Sequence, residues 1–291
     1  MWEIEILGFT IYQLFYYFMI YSILGWTMET ILVSSKEKHF VNRGFLNGPL
    51  CPIYGFGMCL IIMVLTPYQD RLTDVFLGGM LLATALEYFT SWLLEKLFHT
   101  QWWNYDDHRF NLHGRVCLDI SLAWGVLSLV IMKIVQPFVA ALVDYIPYTY
   151  GKILAVALLV YLIGDMIVSV YSALKLANKL MSFEKIRADL QSAYEQSHLA
   201  ETLGDWKERF ADSRLSEVLN ELTERSKEWP ERTGKNLKQF RVQLEEIKKR
   251  YHMGERLHVL GGKRLTKAFP HLRVSDLVER IEKYKEEKKS K

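Results

Sequence analysis

The chain has 291 residues, 50% of them hydrophobic and 24% charged, with a formal net charge of +3. The charge is unevenly divided: residues 1–175 carry 10 Lys+Arg and 13 Asp+Glu, whereas residues 176–291 carry 26 and 20. The first part is too apolar for a soluble domain and the second too charged for a bilayer, which excludes a single soluble globule, a secreted disulfide scaffold and a disordered chain.

Five apolar stretches follow in chain order, at about 9–33, 49–65, 75–97, 116–142 and 153–174. Four of them reach the roughly 20 residues that a hydrocarbon core demands. The second is shorter and is punctuated by Gly48, Pro49, Pro52, Gly55 and Gly57. The first is too long for a signal-peptide core and lacks a basic flank, so it is expected to remain as an anchor. Lys36, Lys38 and Arg43 follow the first stretch, Lys96, Arg109 and Arg115 separate the third from the fourth, and Lys175, Lys179, Lys185 and Arg187 follow the fifth. By the positive-inside rule this predicts five crossings, an outside N-terminus and a cytosolic tail, with Lys133 and Lys152 as the only discord. The fold class is therefore all-α: a polytopic membrane bundle over 1–175 and a charged, helical, coiled-coil-like tail over 176–291.

Within the tail, Leu237, Phe240, Leu244, Ile247 and Tyr251 repeat with the 3-4 spacing of an apolar seam. Trp206, Phe210, Val218 and Leu222 mark a second helix, ended at Trp229-Pro230, and Val274, Leu277, Ile281 and Tyr284 a third. Between Gly164 and Gly204 there is neither glycine nor proline. One helix is expected from about 153 to 203, its distal stripe packing on the seam.

Glu29, Glu87, Asp119 and Asp165 lie inside apolar stretches. An aspartate in lipid costs on the order of 2.5–3.5 kcal/mol, so such groups must face the bundle interior or water. Two readings compete. In one the acids, with Arg43 and Arg115, line a cytoplasm-facing polar site that binds a cation or polar substrate or relays protons. In the other they are interhelical glue, satisfied by arginines, Trp indoles or Tyr hydroxyls. Trp26, Tyr54 and Trp103 belong to the same expected network. Residues 42–57, Asn-Arg-Gly-Phe-Leu-Asn-Gly-Pro-Leu-Cys-Pro-Ile-Tyr-Gly-Phe-Gly, imply irregular backbone at membrane depth. That is tolerated where it lines a cavity or is buried in protein, or else the small residues serve close helix packing. Residues 101–115, rich in Trp, Tyr, Asp and His, read as an interfacial loop; no spacing demands a metal there.

Cys51, Cys59 and Cys117 have no C-x-x-C spacing and read as buried reduced thiols. No nucleophile elbow, zinc-protease helix or dinucleotide fingerprint is present, and Gly261-Gly262-Lys263-Arg264 is not a phosphate-binding loop because Leu257 stands at the first glycine position. An enzyme and a cofactor are not expected. Nucleic acid is not an expected partner either, since acids interleave with the bases of the tail.

Tyr21-Ser22-Ile23-Leu24-Gly25-Trp26 with Glu29-Thr30, then Asn42-Arg43-Gly44-Phe45 and Pro52-Ile53-Tyr54-Gly55-Phe56-Gly57, resemble the ABC-transporter type IV (CmpB-like) membrane family. Glu87, Trp102-Trp103-x-Tyr105, Phe110-Asn111, Gly114-Arg115, Cys117-Leu118 and Trp124-Gly125 extend the resemblance over about 12–170; Asn104 departs from the aspartate of the pattern. Lys267-Ala268-Phe269-Pro270-His271-Leu272 resembles a short downstream element of such proteins. The resemblance implies a permease of the cell membrane, mostly of Gram-positive bacteria. Its small-molecule or ion substrate is unspecified and its ATPase would be a separate chain. The competing class is a non-transporting sensor or assembly factor whose tail recruits a cytosolic partner.

Overall fold

The computed structural model describes residues 2–196, 215–228, 234–256, 262–269 and 272–274. The chain divides into two compact units, Met1–Leu174 with Leu260–Asp276, and Lys175–Val259 with Leu277–Lys291.

The first unit opens with a two-residue-per-strand hairpin, β1 (Glu5–Ile6) and β2 (Phe9–Thr10). Thr10 then caps α1 (Ile11–Glu37) reciprocally with Gln13: the Thr10 hydroxyl accepts from the Gln13 amide, and the Gln13 side chain accepts from the Thr10 amide. Helix α1 ends at Lys38 in the left-handed region. Pro52 begins α2 (Pro52–Leu65), where its missing N–H costs nothing, and a 3₁₀ turn through Tyr68 leads to α3 (Leu72–Phe98). Strands β3 (Thr100–Gln101), β4 (Asn111–Leu112) and β5 (Val116–Cys117) punctuate the next loop. Helix α4 (Leu118–Val130) passes through a π turn at Ile131–Val135 into α5 (Gln136–Tyr145). Pro137, which cannot donate a backbone bond, accounts for that widened turn.

Among the described residues, four helices are long and apolar enough to cross a membrane: Ile11–Glu37, Leu72–Phe98, Leu118–Tyr145 and Tyr148–Ala193. The apolar helix at Pro52–Tyr68 is shorter. Its α-helical part, at 1.5 Å per residue, reaches only about 21 Å against a hydrocarbon core of about 30 Å. The expected fourth stretch begins two residues later as helix than its hydrophobicity suggests, because Val116 and Cys117 pair as a strand with Asn111 and Leu112.

Helix α1 packs along α2 and against α5, α2 along α3, and α3 along α4. Close approach is bought with glycine. A Cβ on Gly55 would lie 2.6 Å from the Phe18 carbonyl oxygen, and one on Gly79 would lie 2.2 Å from the Ser128 hydroxyl. The core joins Tyr16, Tyr17 and Tyr21 of α1 to Ile61 and Ile62 of α2, Met132 of the π turn and Val143 of α5. Cys59 and Cys117 are buried, Cys51 is half-buried, and all three thiols are free.

Helix α6 (Tyr148–Gln196) is unbroken through Met181 and Ser182. The continuous helix expected from the sequence is thus present from five residues earlier; its expected end near 203 lies outside the described residues. In the second unit, α7 (Leu215–Glu228) and α8 (Gly234–Arg256) complete a small core with the distal part of α6. Ile186 and Leu190 meet Leu219, Leu222, Phe240, Leu244 and Ile247 there, so the seam does pack on the distal stripe. An Arg250–Asp189 ion pair at 2.9 Å joins α8 to α6.

Past the second unit, α9 (Gly262–Ala268) and β6 (Arg273–Val274) belong to the first. Strand β6 pairs antiparallel with β3, Thr100 opposite Val274 and Gln101 opposite Arg273. Val274 therefore lies in a strand and not in the third tail helix expected from the sequence, because its backbone completes a ladder. Trp206, Phe210, Trp229, Pro230, Leu277, Ile281 and Tyr284 lie outside the described residues.

Candidate functional site

The loop at 42–50 and the adjoining helix ends carry a connected set of polar groups. Glu29, two turns from the end of α1, lies 3.7 Å from the Nε of Arg43 through its Oε2. Its Oε1 accepts a hydrogen bond from the Tyr54 hydroxyl at 2.5 Å. Tyr54 reaches it because α1 presents Gly25 to the ring: a Cβ there would lie 2.2 Å from Tyr54 Cγ. The Tyr54 ring meets Trp124 edge-on at 5.7 Å.

Trp124 continues the set to α3. Its indole donates to Glu87 Oε2 at 3.0 Å, and the Tyr105 hydroxyl donates to Oε1 at 3.1 Å. Glu87 is only 8% exposed, so these two donors are its compensation for burial. Burial, followed by the Glu87 carboxylate beside it, raises the Tyr105 phenol far above its ordinary value and keeps it a donor. Two carboxylates from different helices are thus linked through one Tyr and one Trp.

The loop itself is held from α6. Asp165 Oδ1 accepts from the Asn47 amide at 3.0 Å and its side chain at 3.1 Å, and Oδ2 from the Gly48 amide at 2.7 Å. Ser169 adds a hydroxyl to the same cluster at 3.1 Å. Trp26 donates to Asn42 Oδ1 at 2.8 Å and fixes the start of the loop.

The sequence profile described as "Putative ABC-transporter type IV" matches residues 16–170, more than half of the chain. The chain belongs to the ABC-transporter type IV family. No curated protein and no solved structure matches it.

The family match spans every residue of the polar set just described. In this ABC-transporter type IV chain, Arg43, Glu29 and Tyr54 come together, and Glu87 joins them through Trp124. Four further residues expected in the network lie elsewhere. Arg115 forms its ion pair with Glu95 at 2.7 Å and donates to the Tyr88 hydroxyl at 3.1 Å. Burial works against that charge, but the bonds to Glu95 and Tyr88 outweigh it and raise the Arg115 pKa. Arg115 is not one helical turn from Asp119, because the chain between them is extended as β5 and enters α4 only at Leu118. Asp119 is left with a side chain 73% exposed, 3.9 Å from His108. Trp103 braces the loop by donating to the Arg115 carbonyl at 3.0 Å, and Asp165 grips the 42–50 loop.

Several contributors carry no signal in their own local sequence. Glu95 is one helical charge among others, and Tyr105 and Trp124 stand out only in the family pattern. Arg264 of α9 donates to the Gly44 carbonyl at 2.6 Å and the Phe45 carbonyl at 2.8 Å. Burial lowers the pKa of Arg264, and the charge of Asp165 partly offsets this. Phe269 lies over the Arg43 guanidinium, 4.4 Å from the ring centroid, and meets Trp102 edge-on at 4.9 Å. An apolar cavity of about 160 Å³, lined by Leu24, Met28, Met58, Leu127 and Ile131, lies between Tyr21 and Tyr54.

Proposed function

We propose that this membrane protein is the permease-like subunit of a transporter, without catalytic chemistry of its own, whose ATPase is a separate chain. The observation that carries the reading is the linked pair of carboxylates, Glu29 of α1 and Glu87 of α3, joined through Tyr54 and Trp124. A permease needs groups that hold a polar or cationic substrate within an apolar bundle and can exchange partners as it moves. Glu29 has Arg43 as such an exchangeable partner at 3.7 Å, a separation at which a substrate cation can compete. Glu87 supplies the deeper carboxylate. The loop with Arg43 and the basic positions Lys36, Lys38 and Arg109 belong on the cytoplasmic side, with the N-terminus outside and the second unit cytosolic. This orientation requires the short α2 to be a fifth crossing, since Arg71 at its end lies outside and Lys38 before it lies inside.

The second unit, with its own core, supports a recruiting role within the same reading: it offers a folded helical module to a cytosolic partner. The test is isolation of the full chain from native membranes after mild cross-linking, followed by assay of ATP hydrolysis. An accompanying hydrolytic activity that falls in Glu29→Gln fits a transporter subunit. Its absence, or indifference to Glu29, argues for a non-transporting scaffold instead.

A further inference from the structure

The loop at 42–50 is gripped in two complementary ways. From α6, the Asp165 carboxylate takes the amides of Asn47 and Gly48. From α9, the Arg264 guanidinium takes the carbonyls of Gly44 and Phe45. A negative group thus satisfies donors of an irregular backbone and a positive group its acceptors, in a loop that has no ladder of its own to do so.

The segment that brings Arg264 has further anchors. Leu265 and Ala268 are fully buried and Phe269 is 8% exposed. Phe269 covers the Arg43 guanidinium and packs on Trp102, while β6 is pinned to β3. Phe45 of the gripped loop joins the same aromatic group, 5.2 Å from Trp102 and 5.9 Å from Phe98. Among the described residues, Nη1 of Arg43 is buried with no hydrogen-bond partner.

Connectivity gives the arrangement its meaning. The chain leaves the first unit along α6, the helix that carries Asp165, and returns to it through the segment that carries Arg264. Two of the three covalent connections to the second unit, at 174/175 and 259/260, are thus followed or preceded by a residue that grips the same nine-residue loop.

We propose that residues 262–269, with 272–274 pinned to β3, form a latch over the Glu29–Arg43 pair, and that the 42–50 loop opens when the Arg264 or the Asp165 grip is released. Arg264 and Phe269 are positioning residues: they fix the loop and Arg43 and need touch no substrate. The inference does not depend on the transport reading, since a sensor would use the same latch to report on its second unit.

Cys51, half-buried at the foot of α2 and directly after the loop, is a native reporter. The experiment uses the full chain in membranes, with Cys59 and Cys117 replaced by Ala, and follows the rate of Cys51 alkylation by a maleimide. Arg264→Gln removes two charge-assisted hydrogen bonds and should speed alkylation about tenfold or more, and Asp165→Asn should act in the same direction. Lys263→Gln, on the exposed side of the same helix, should leave the rate unchanged. To separate opening from misfolding, Thr100→Cys with Val274→Cys places a disulfide across the β3–β6 pair. Alkylation is read at Cys51 itself by peptide mass spectrometry, because the introduced thiols also react when reduced; Cys51 should react more slowly in the oxidised molecule than in the reduced molecule of the same preparation, and the lock should suppress the effect of Arg264→Gln. Equal rates in the oxidised and reduced forms, or Arg264→Gln within twofold of its parent, would overturn the latch.

Discussion

The ring of Tyr54 lies against the bare backbone of Gly25, where a Cβ would come within 2.2 Å of Cγ, and from there its hydroxyl reaches Glu29 at 2.5 Å. One missing methyl group on α1 thus sets the position of a hydroxyl from α2. Gly25→Ala should force the ring away and cost about 1–3 kcal/mol through overpacking. Tyr54→Phe removes the same hydroxyl, so the two substitutions should be non-additive in thermal unfolding of the detergent-solubilised chain. Full additivity would mean that the glycine and the hydroxyl act independently.

Arg43 is tested against Lys36, which is exposed in the last turn of α1. The Arg43 and Glu29 side chains are 22% and 33% exposed, and Phe269 covers the guanidinium. Arg43→Ala removes the ion pair and the aromatic contact together and should cost about 1–3 kcal/mol. Lys36→Ala should fall within about 0.5 kcal/mol of the parent, as surface substitutions do. The same unfolding measurement decides between them, and equal effects would mean that the Glu29–Arg43 pair adds nothing.

Much of this arrangement is legible in the sequence, and the part that is not has a physical cause. The apolar runs announce the long helices, and acids within them announce interior polar groups, because lipid offers no other solvent for a carboxylate. The glycines and prolines of 42–57 announce irregular backbone. Partner choice is another matter. Arg115 reads as one turn from Asp119 only if the helix begins before Val116; two residues of strand displace it, and Glu95, 20 positions earlier, takes the guanidinium. Arg264 is 220 residues from Gly44, and no local pattern of charge or hydrophobicity encodes a side chain that must seek carbonyl groups at that separation.

The orientation proposed for the bundle has its own test in intact cells. A membrane-impermeant maleimide should label Arg71→Cys, in the turn between α2 and α3, and should miss Lys38→Cys and Arg109→Cys. Labelling of the Lys38 probe from outside would invert the topology and place the second unit outside the cell.

In the transporter proposed above, Glu29 and Glu87 hold the substrate. The direct measurement is untargeted mass spectrometry of small molecules released from the purified full chain, comparing the parent with Glu29→Gln and Glu87→Gln proteins of matched thermal stability. Glutamine preserves the size of each side chain: at position 29 its amide oxygen can accept from Tyr54, and at position 87 the oxygen can accept from the Trp124 indole while the amide nitrogen donates to the Tyr105 hydroxyl, so loss of charge is separated from loss of packing. A polar or cationic species should co-purify with the parent and be depleted in both variants. Identical small-molecule content in all three preparations would contradict it and leave the two carboxylates as structural links between helices.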